Sequence, residues 1–332
     1  MILDRLALDG KDWNPQTIPN SIGAVYMFIF ASLILPLLTR LQTPSTTPTK
    51  EVAITIDDLP FVSESSDFES ALNNTKLLLK PFKEAHLPIA CFVIGSDFEQ
   101  FSSAERKRLY RCWQDVGAEF GNHTWTHADF DKVSLEHYEN EILQADRSMK
   151  RDLGVSKVSY FRSPYLNDGP DHAKKNGLQW FLQAKGFREA PVTLDTEDWQ
   201  FATPYDRAFI KGDKALMKRL DAAYMPYMNS MVEFFEGISQ QVFDRKCALI
   251  YLLHANRLTA KKMPEVLAML KRRGYKIVSL DRALQDPAYQ SPDHYLGPGG
   301  FSWLIRWGLD KGLKLPLYPA VPKWVQSISP KD

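Results

Sequence analysis

Cysteine is scarce in this chain. Cys91, Cys112 and Cys247 are the whole complement; odd in number and irregularly spaced, they form neither a disulfide framework nor a zinc ribbon. Cys91 and Cys247 lie inside apolar runs, which predicts packed core thiols. Surplus positive charge is lacking too. Lys and Arg number 41 against 40 Asp and Glu, a net charge of +1, so there is no basic field of the kind nucleic-acid binding needs. The densest basic run, Lys271-Arg272-Arg273, precedes Gly274, where cations suit the end of a helix. No internal repeat is present.

Charge is absent from Ile22 to Leu38. That length sits at the short edge of a membrane span and above an ordinary core helix. Residues 22–39 therefore read as an export signal or membrane anchor, with a buried helix as the alternative. Residues 1–21 form an N-terminal extension, and the Pro, Ser and Thr of residues 40–50 suit a linker. There is no small-residue cleavage site after the apolar run, and the segment before it is not basic. One expectation is that translation naturally starts at Met27; N-terminal sequencing of the native product that found earlier residues would reject it. The reading places the protein at the cell envelope, exported or membrane-anchored.

The 332 residues permit one barrel-sized domain or two small ones, and 44% hydrophobic and 24% charged residues over the whole chain are an ordinary globular composition. Short β-rich runs alternate with helical patterns, which predicts an α/β fold with a mostly parallel sheet or barrel. Strands are expected at Val52 to Ile56, Ile89 to Ile94, Ala118 to Asn122, Val158 to Phe161, Ala190 to Leu194, Cys247 to Leu253 and Tyr275 to Leu280. Helices are expected at Ser66 to Ala85, Ala104 to Val116, Leu135 to Leu153, His172 to Lys185 and Pro264 to Arg273. A catalytic domain over 51–288 follows, with a helical, aromatic- and methionine-rich insertion at 200–246. The C-terminal extension, 289–332, carries Trp303 and Trp307 and is expected to pack against the barrel, with a role in a glycan groove as the alternative.

Active sites in such folds gather at the carboxyl ends of strands, and polar groups recur there. The first strand ends in Asp57-Asp58. Adjacent carboxylates either repel or share a cation; taken alone the pair also suits a turn or cap. His123 and His127 are spaced i, i+4, so one helical turn or a compact loop puts both imidazoles on one side. Two histidines and one carboxylate leave a divalent ion an open position, and zinc suits those ligands. Arg162 ends the fourth strand, as a surface ion-pair residue or as a group that holds a carboxylate ionised. Asp198-Trp199 follows the fifth, where Trp199 is core or pocket wall. Leu253-His254 ends the sixth; His254 is a packed histidine or, near a metal, a candidate acid. His86, His137, His172 and His294 have no partner motif and read as surface or packing residues.

Thr-x-Asp-Asp, His-Thr-x-x-His, Arg-x-Pro-Tyr, Asp-Trp and Leu-x-His, in that order, resemble the polysaccharide deacetylase family (carbohydrate esterase family four) over roughly Glu51 to Ala288. The resemblance implies a distorted (β/α) barrel of about seven strands and metal-dependent removal of acetyl groups from the N-acetylated sugars of an acetylated glycan of chitin or peptidoglycan type. It implies Asp57 as general base, Asp58, His123 and His127 as ligands of a divalent metal such as Zn2+, and Arg162 as the group that orients Asp57. It further implies the Tyr165 backbone N–H at the oxyanion, Trp199 and Leu253 around the acetyl methyl, and His254 as general acid tuned by Asp198. The chain departs from the pattern at Ser163, where proline is frequent, at Ala255-Asn256, where an acid is common, and in the length of the insertion, and these departures bear on the substrate. The alternatives are an O-acetyl ester or non-sugar amide hydrolase with the same site, and a membrane-tethered glycan-binding protein with a vestigial one.

Overall fold

The acidic stretch closes the central strand of a parallel sheet. The computed structural model describes residues 50–65, 67–296 and 300–329, all within one compact unit, Thr47–Asp332. The segments 1–21 and 22–39 and the linker up to residue 49 lie outside the described residues. Eight strands are present among those described: β1 Lys50–Leu59, β2 Ala90–Val93, β3 Glu119–Asn122, β4 Tyr160–Phe161, β5 Arg188–Glu189, β6 Leu194–Asp195, β7 Leu249–His254 and β8 Tyr275–Ile277. The ladder runs β5-β4-β3-β2-β1-β7-β6, and β8 joins the start of β1. Every pairing is parallel. Helices Phe68–Ala85, Ser103–Gln114, Leu135–Leu153, His172–Lys185 and Arg257–Arg272 follow β1, β2, β3, β4 and β7. The sheet is a distorted (β/α) barrel, open between β5 and β6, as the sequence led us to expect.

Period-two alternation sorts β1 between two environments. Val52, Ile54 and Ile56 enter the large hydrophobic cluster shared with the helices. Ala53 joins a second cluster with Ala90, Phe92, Ala190, Ala248 and Ile250 on the opposite face. Thr55 and Asp57 continue that second stripe, so the inner face turns from apolar to polar toward the carboxyl end of the strand. The helices begin where short polar side chains can take up their unpaired N–H groups. Asp67, Ser134, Asp171 and Asn256 each accept from a backbone N–H in the first turn, and Ser102 with Glu105 closes a reciprocal capping box.

Three expected elements differ. The strand placed at Ala190 to Leu194 is reduced to Leu194–Asp195, and β5 lies earlier, at Arg188–Glu189. The backbone between them is engaged elsewhere: Ala190 O accepts from the Arg162 side chain and Val192 O from Trp303 N. The last strand stops at Ile277, because Ser279 caps a short helix, Leu280–Ala283. The helix placed at Pro264 starts at Arg257, where the Asn256 cap overrides the proline signal, and Pro264 sits inside it. The 200–246 segment forms two helices, Trp199–Ile210 and Lys214–Phe243, the second packed against Arg257–Arg272 and against the tail helix Trp303–Asp310. Trp303 and Trp307 are buried, so the described part of the tail packs on the barrel.

Candidate active site

One irregularity in β1 aims both acids the same way. Asp57 pairs in register with His254 of β7. Strict alternation would send Asp58 to the opposite face. Instead the β1–β2 register shifts between Ile56 and Leu59, and Asp58 takes a left-handed backbone, φ 59°. Such a bulge re-aims a side chain. Asp58 also belongs to a pattern: six of the eight described non-glycine residues with positive φ (Asp58, Thr124, His127, Tyr165, Leu166 and Glu197) lie at or just beyond the ends of β1, β3, β4 and β6. Left-handed backbone in L-residues is costly and clusters at working sites.

His123 and His127 follow β3 in a compact loop, not a helical turn. Asn122 organises it: its Oδ1 accepts from Thr124 N at 2.8 Å and its Nδ2 donates to Ile142 O at 2.8 Å. Glu141, half a helix away, accepts from both Thr126 N and Thr126 Oγ1. The loop brings His123 Nε2 within 3.5 Å and His127 Nε2 within 3.4 Å of Asp58 Oδ1. The three ligand atoms all lie within 4.8 Å of one another. Asp58 Oδ1 is buried without a hydrogen-bond partner. His123 Nδ1 is 2.8 Å from the Arg162 carbonyl; a carbonyl only accepts, so the ring proton sits on Nδ1 and the Nε2 lone pair faces Asp58. Burial, reinforced by His127, pushes the His123 pKa down to about 3, which keeps that lone pair free. These residues fit a divalent cation.

Asp57 is held separately. Its carboxylate is 2% exposed and receives Arg162 Nη1 at 2.6 Å. Arg162 is buried as well, which removes the surface ion-pair reading. Its Nη1 also meets Thr55 Oγ1 at 2.8 Å, its Nε donates to Ala190 O at 3.0 Å, and its guanidinium carbon stacks 4.0 Å from the Phe92 ring centre. Gly121 makes room for that ring, since a Cβ there would stand 2.2 Å from it. Burial raises the Asp57 pKa to about 6 against the pull of Arg162. Asp58 is held below the usual carboxylate range, since His127, His254 and His123 together outweigh its burial.

The third group is Asp198 with His254. Asp198 Oδ1 lies 2.6 Å from His254 Nδ1. Its Oδ2 accepts from His254 N, Asn256 Nδ2 and Thr259 Oγ1 at 3.2, 3.2 and 2.9 Å. Asn256, in the Ala255-Asn256 pair where the resemblance makes an acid common, therefore donates to a buried carboxylate beside which a second anion would repel. Burial disfavours a charged His254, yet Asp198 outweighs it and the pKa rises to about 10. Trp199 begins the next helix, half-buried. Leu253 is fully buried in the large hydrophobic cluster. Tyr165 is 56% exposed, and its ring packs edge-on to His127 at 4.5 Å. His86, His137, His172 and His294 are all exposed. Sequence reasoning assigned no role to Thr55, Asn122, Glu141 or Thr259. Thr55 stands inside the Thr-x-Asp-Asp block, whereas Glu141 and Thr259 are helix residues with no local signal.

Residues 44–180 match the polysaccharide deacetylase family. A peptidoglycan-N-acetylglucosamine deacetylase of Bacillus cereus is 26% identical over 150 residues, 45% of this chain and 46% of that protein. Its counterpart in Listeria monocytogenes is 25% identical over 244 residues, 72% of this chain and 40% of that protein. A chitin deacetylase of Colletotrichum lindemuthianum is 25% identical over 173 residues, 50% of this chain and 62% of that protein. The alignments thus span less than two thirds of these relatives. The solved structure of the Colletotrichum lindemuthianum enzyme shares the fold, with a TM-score of 0.50 at 21% identity over 75% of this chain and 92% of that one.

Proposed function

We propose, from the premise that this chain belongs to the polysaccharide deacetylase family, that it is a metal-dependent hydrolase removing acetyl groups from N-acetylated sugars of a chitin- or peptidoglycan-type glycan. The observation that carries the reading is the convergence of Asp58, His123 and His127 beside two separately held acid–base groups, Asp57 on Arg162 and His254 on Asp198. A bare binding site for a glycan has no need of either.

Asp58, His123 and His127 would hold the ion, and their borderline donor set suits Zn2+. When bound, a divalent ion there supplies Lewis-acid polarisation of the acetyl carbonyl and acidifies water. Asp57 then takes the proton of the attacking water. Arg162 keeps it aimed and ionised, the condition a base must meet. The Tyr165 N–H would donate to the developing oxyanion, where a preorganised donor is worth most. His254 holds its Nδ1 proton toward Asp198 and delivers the Nε2 proton to the departing amine. A nitrogen leaving group needs this acid, since an amine anion does not depart unprotonated. Trp199 would face the acetyl methyl; Leu253, in register with Ile56 on the face turned to the helices, points away from it.

Export or anchoring through residues 22–39 would bring this site to an envelope glycan. No helix of the described residues is long and apolar enough to cross a membrane, and residues 22–39 lie outside them. The test is acetate release from chitooligosaccharide, peptidoglycan and acetylxylan, with metal analysis on the same samples. We expect release from an N-acetylated glycan that stops on chelation and returns with zinc. Turnover on acetylxylan alone would replace the amide reading with an ester one, and no release from any of the three would reject catalysis. His254→Ala should cost far more on an amide than on an ester, because an alkoxide leaves more readily than an amine anion.

A further inference from the structure

The C-terminal extension reaches the turn that carries Tyr165. Tyr165 and Leu166 are consecutive left-handed residues, φ 56° and 55°, a conformation costly enough in L-residues to require outside support. Arg306, on helix Trp303–Asp310, is fully buried and provides it. Its Nη2 donates to Leu166 O. Its Nη1 lies 3.0 Å from Asp168 Oδ1 and 2.9 Å from Asp293 Oδ2. One planar guanidinium therefore grips the turn at the Leu166 carbonyl and again two residues later, the kind of fixed fork that a lysine cannot reproduce.

The guanidinium is itself locked. Its Nε donates to Phe301 O at 2.9 Å, and its carbon stacks 3.9 Å from the Trp303 ring centre. Lys175 balances the cluster at 3.2 Å from Asp168 and 2.7 Å from Asp293. The tail is pinned to the open edge of the barrel by Trp303 N to Val192 O and by Ser302 Oγ to Thr193 O, 2.8 and 3.0 Å. Gly300 supplies the second contact. A Cβ there would stand 2.0 Å from Tyr165 O and 2.4 Å from Leu166 Cβ, so the tail backbone abuts the turn as closely as glycine alone allows. On the far side, Asn167 Nδ2 donates to Asp129 Oδ1 at 2.9 Å, two residues beyond His127. The turn is thus clamped between the tail and the loop that carries the histidines.

We propose that Arg306 is a positioning residue for deacetylation: with Gly300 it holds the Tyr165–Leu166 turn and so aims the Tyr165 N–H, which makes the C-terminal extension part of the working site. The assignment of a reaction to that N–H rests on the deacetylase reading; the clamp itself does not. A donor to an oxyanion acts through its direction, so loss of the clamp should slow turnover without weakening binding of the ion or of the glycan.

The test compares Arg306→Lys, Arg306→Met and Gly300→Ala with the unaltered protein and with Gly237→Ala, where an added Cβ meets nothing within 4 Å. Gly300→Ala leaves the buried charges in place, so it reports on the clamp even where an Arg306 variant fails to fold. Three readouts are taken: hydrogen exchange of the peptide spanning 160–168, zinc stoichiometry, and steady-state kinetics on the N-acetylated substrate. For Gly300→Ala and Arg306→Lys we expect faster exchange confined to that peptide and full zinc occupancy. We also expect kcat to fall by about 10- to 100-fold with KM within about 2-fold. Arg306→Met should be worse than Arg306→Lys. Unchanged exchange at 160–168, a loss of protection spread evenly over the chain, or kinetics equal to Gly237→Ala would each overturn the proposal. If the unaltered protein releases no acetate, the deacetylase reading fails while the exchange data still decide whether the clamp exists.

Discussion

Replacing Arg162 with methionine should destabilise the protein, and the size of the effect follows from its contacts. Arg162 makes two hydrogen bonds to neutral acceptors, Ala190 O and Thr55 Oγ1, and one to the Asp57 carboxylate. The guanidinium is ionised, so each of the three is a bond to a charged group worth about 1.5–3 kcal/mol, and their sum lies between about 4.5 and 9. Breaking a buried pair from one side costs about 3–5 kcal/mol, because the remaining charge is stranded. Methionine can follow the same path across Phe92, which limits the cavity term. Asp57 has an escape that caps the loss: burial already lifts its pKa to about 6 with Arg162 present, and without Arg162 it can take up a proton. We therefore expect a loss of about 3–5 kcal/mol, or roughly 6–20 °C in Tm for a domain of this size. Asp57→Asn alone should cost less, since its side-chain oxygen still accepts from Nη1.

The decisive measurement is the double-mutant cycle. Chemical denaturation at pH 8 with chelator, so that ion binding does not enter, gives the four stabilities; unchanged slopes would show that only stability moved. Once Asp57 is neutral, removing Arg162 strands no charge, so Arg162→Met should be milder in the Asp57→Asn background by about 1.5–3 kcal/mol, within the range seen for residues in direct contact. Additivity to within about 0.5 kcal/mol, or a cost below about 1 kcal/mol for Arg162→Met alone, would refute the idea that Arg162 holds Asp57 as a charged pair.

The remaining expectations can be checked with the same protein. Asp57→Asn should abolish turnover but keep zinc, whereas His127→Ala should lose zinc; full occupancy by metal analysis in His127→Ala would overturn the ligand set. Zinc at about 100 times its Kd should stabilise the unaltered protein by about 2.7 kcal/mol and His127→Ala by much less, as read by thermal unfolding with and without chelator. His254 has a folded pKa raised to about 10 by Asp198, so its protonation stabilises the fold fully below its unfolded value near 6.5 and ceases to do so as pH rises through about 10. The stability gap between the unaltered protein and Asp198→Asn in chelator should accordingly shrink as pH rises from about 6.5 to about 10 and level off above that, and a gap that widened across this range would contradict the pairing. Gly121→Ala drives a methyl into the Phe92 ring under Arg162 and should cost about 1–3 kcal/mol, measured by urea denaturation.

Which residues gather at the proposed site was legible in the chain because they fall at strand ends, and strand ends are written locally. The alternation of apolar runs with helical patterns placed β1, β2, β3 and β7 and most of the helices. Asp57, Asp58, His123, His127, Arg162, Asp198 and His254 then fell at the carboxyl ends or in the turns after them. The strand expected across Ala190 to Leu194 was misplaced because its backbone groups are taken by an arginine side chain and by the tail, partners far away in sequence. Glu141 and Thr259 escaped notice for the same reason. They sit on helices, and only the packing of those helices brings their polar atoms to Thr126 and Asp198.

The order of the motifs carried the family resemblance, the barrel and the roster of polar groups, since each depends on residue type and spacing along one strand or turn. Tertiary structure alone decided where two adjacent carboxylates point. A register shift and a left-handed Asp58 turn that carboxylate toward the two histidines, while alternation keeps Asp57 on the inner face with Arg162. It also decided that the tail belongs to the site. Arg306 is separated from Leu166 by 140 positions, and no local pattern records a contact of that range, because it exists only once the barrel has closed enough to bring its open edge beneath the helix Trp303–Asp310.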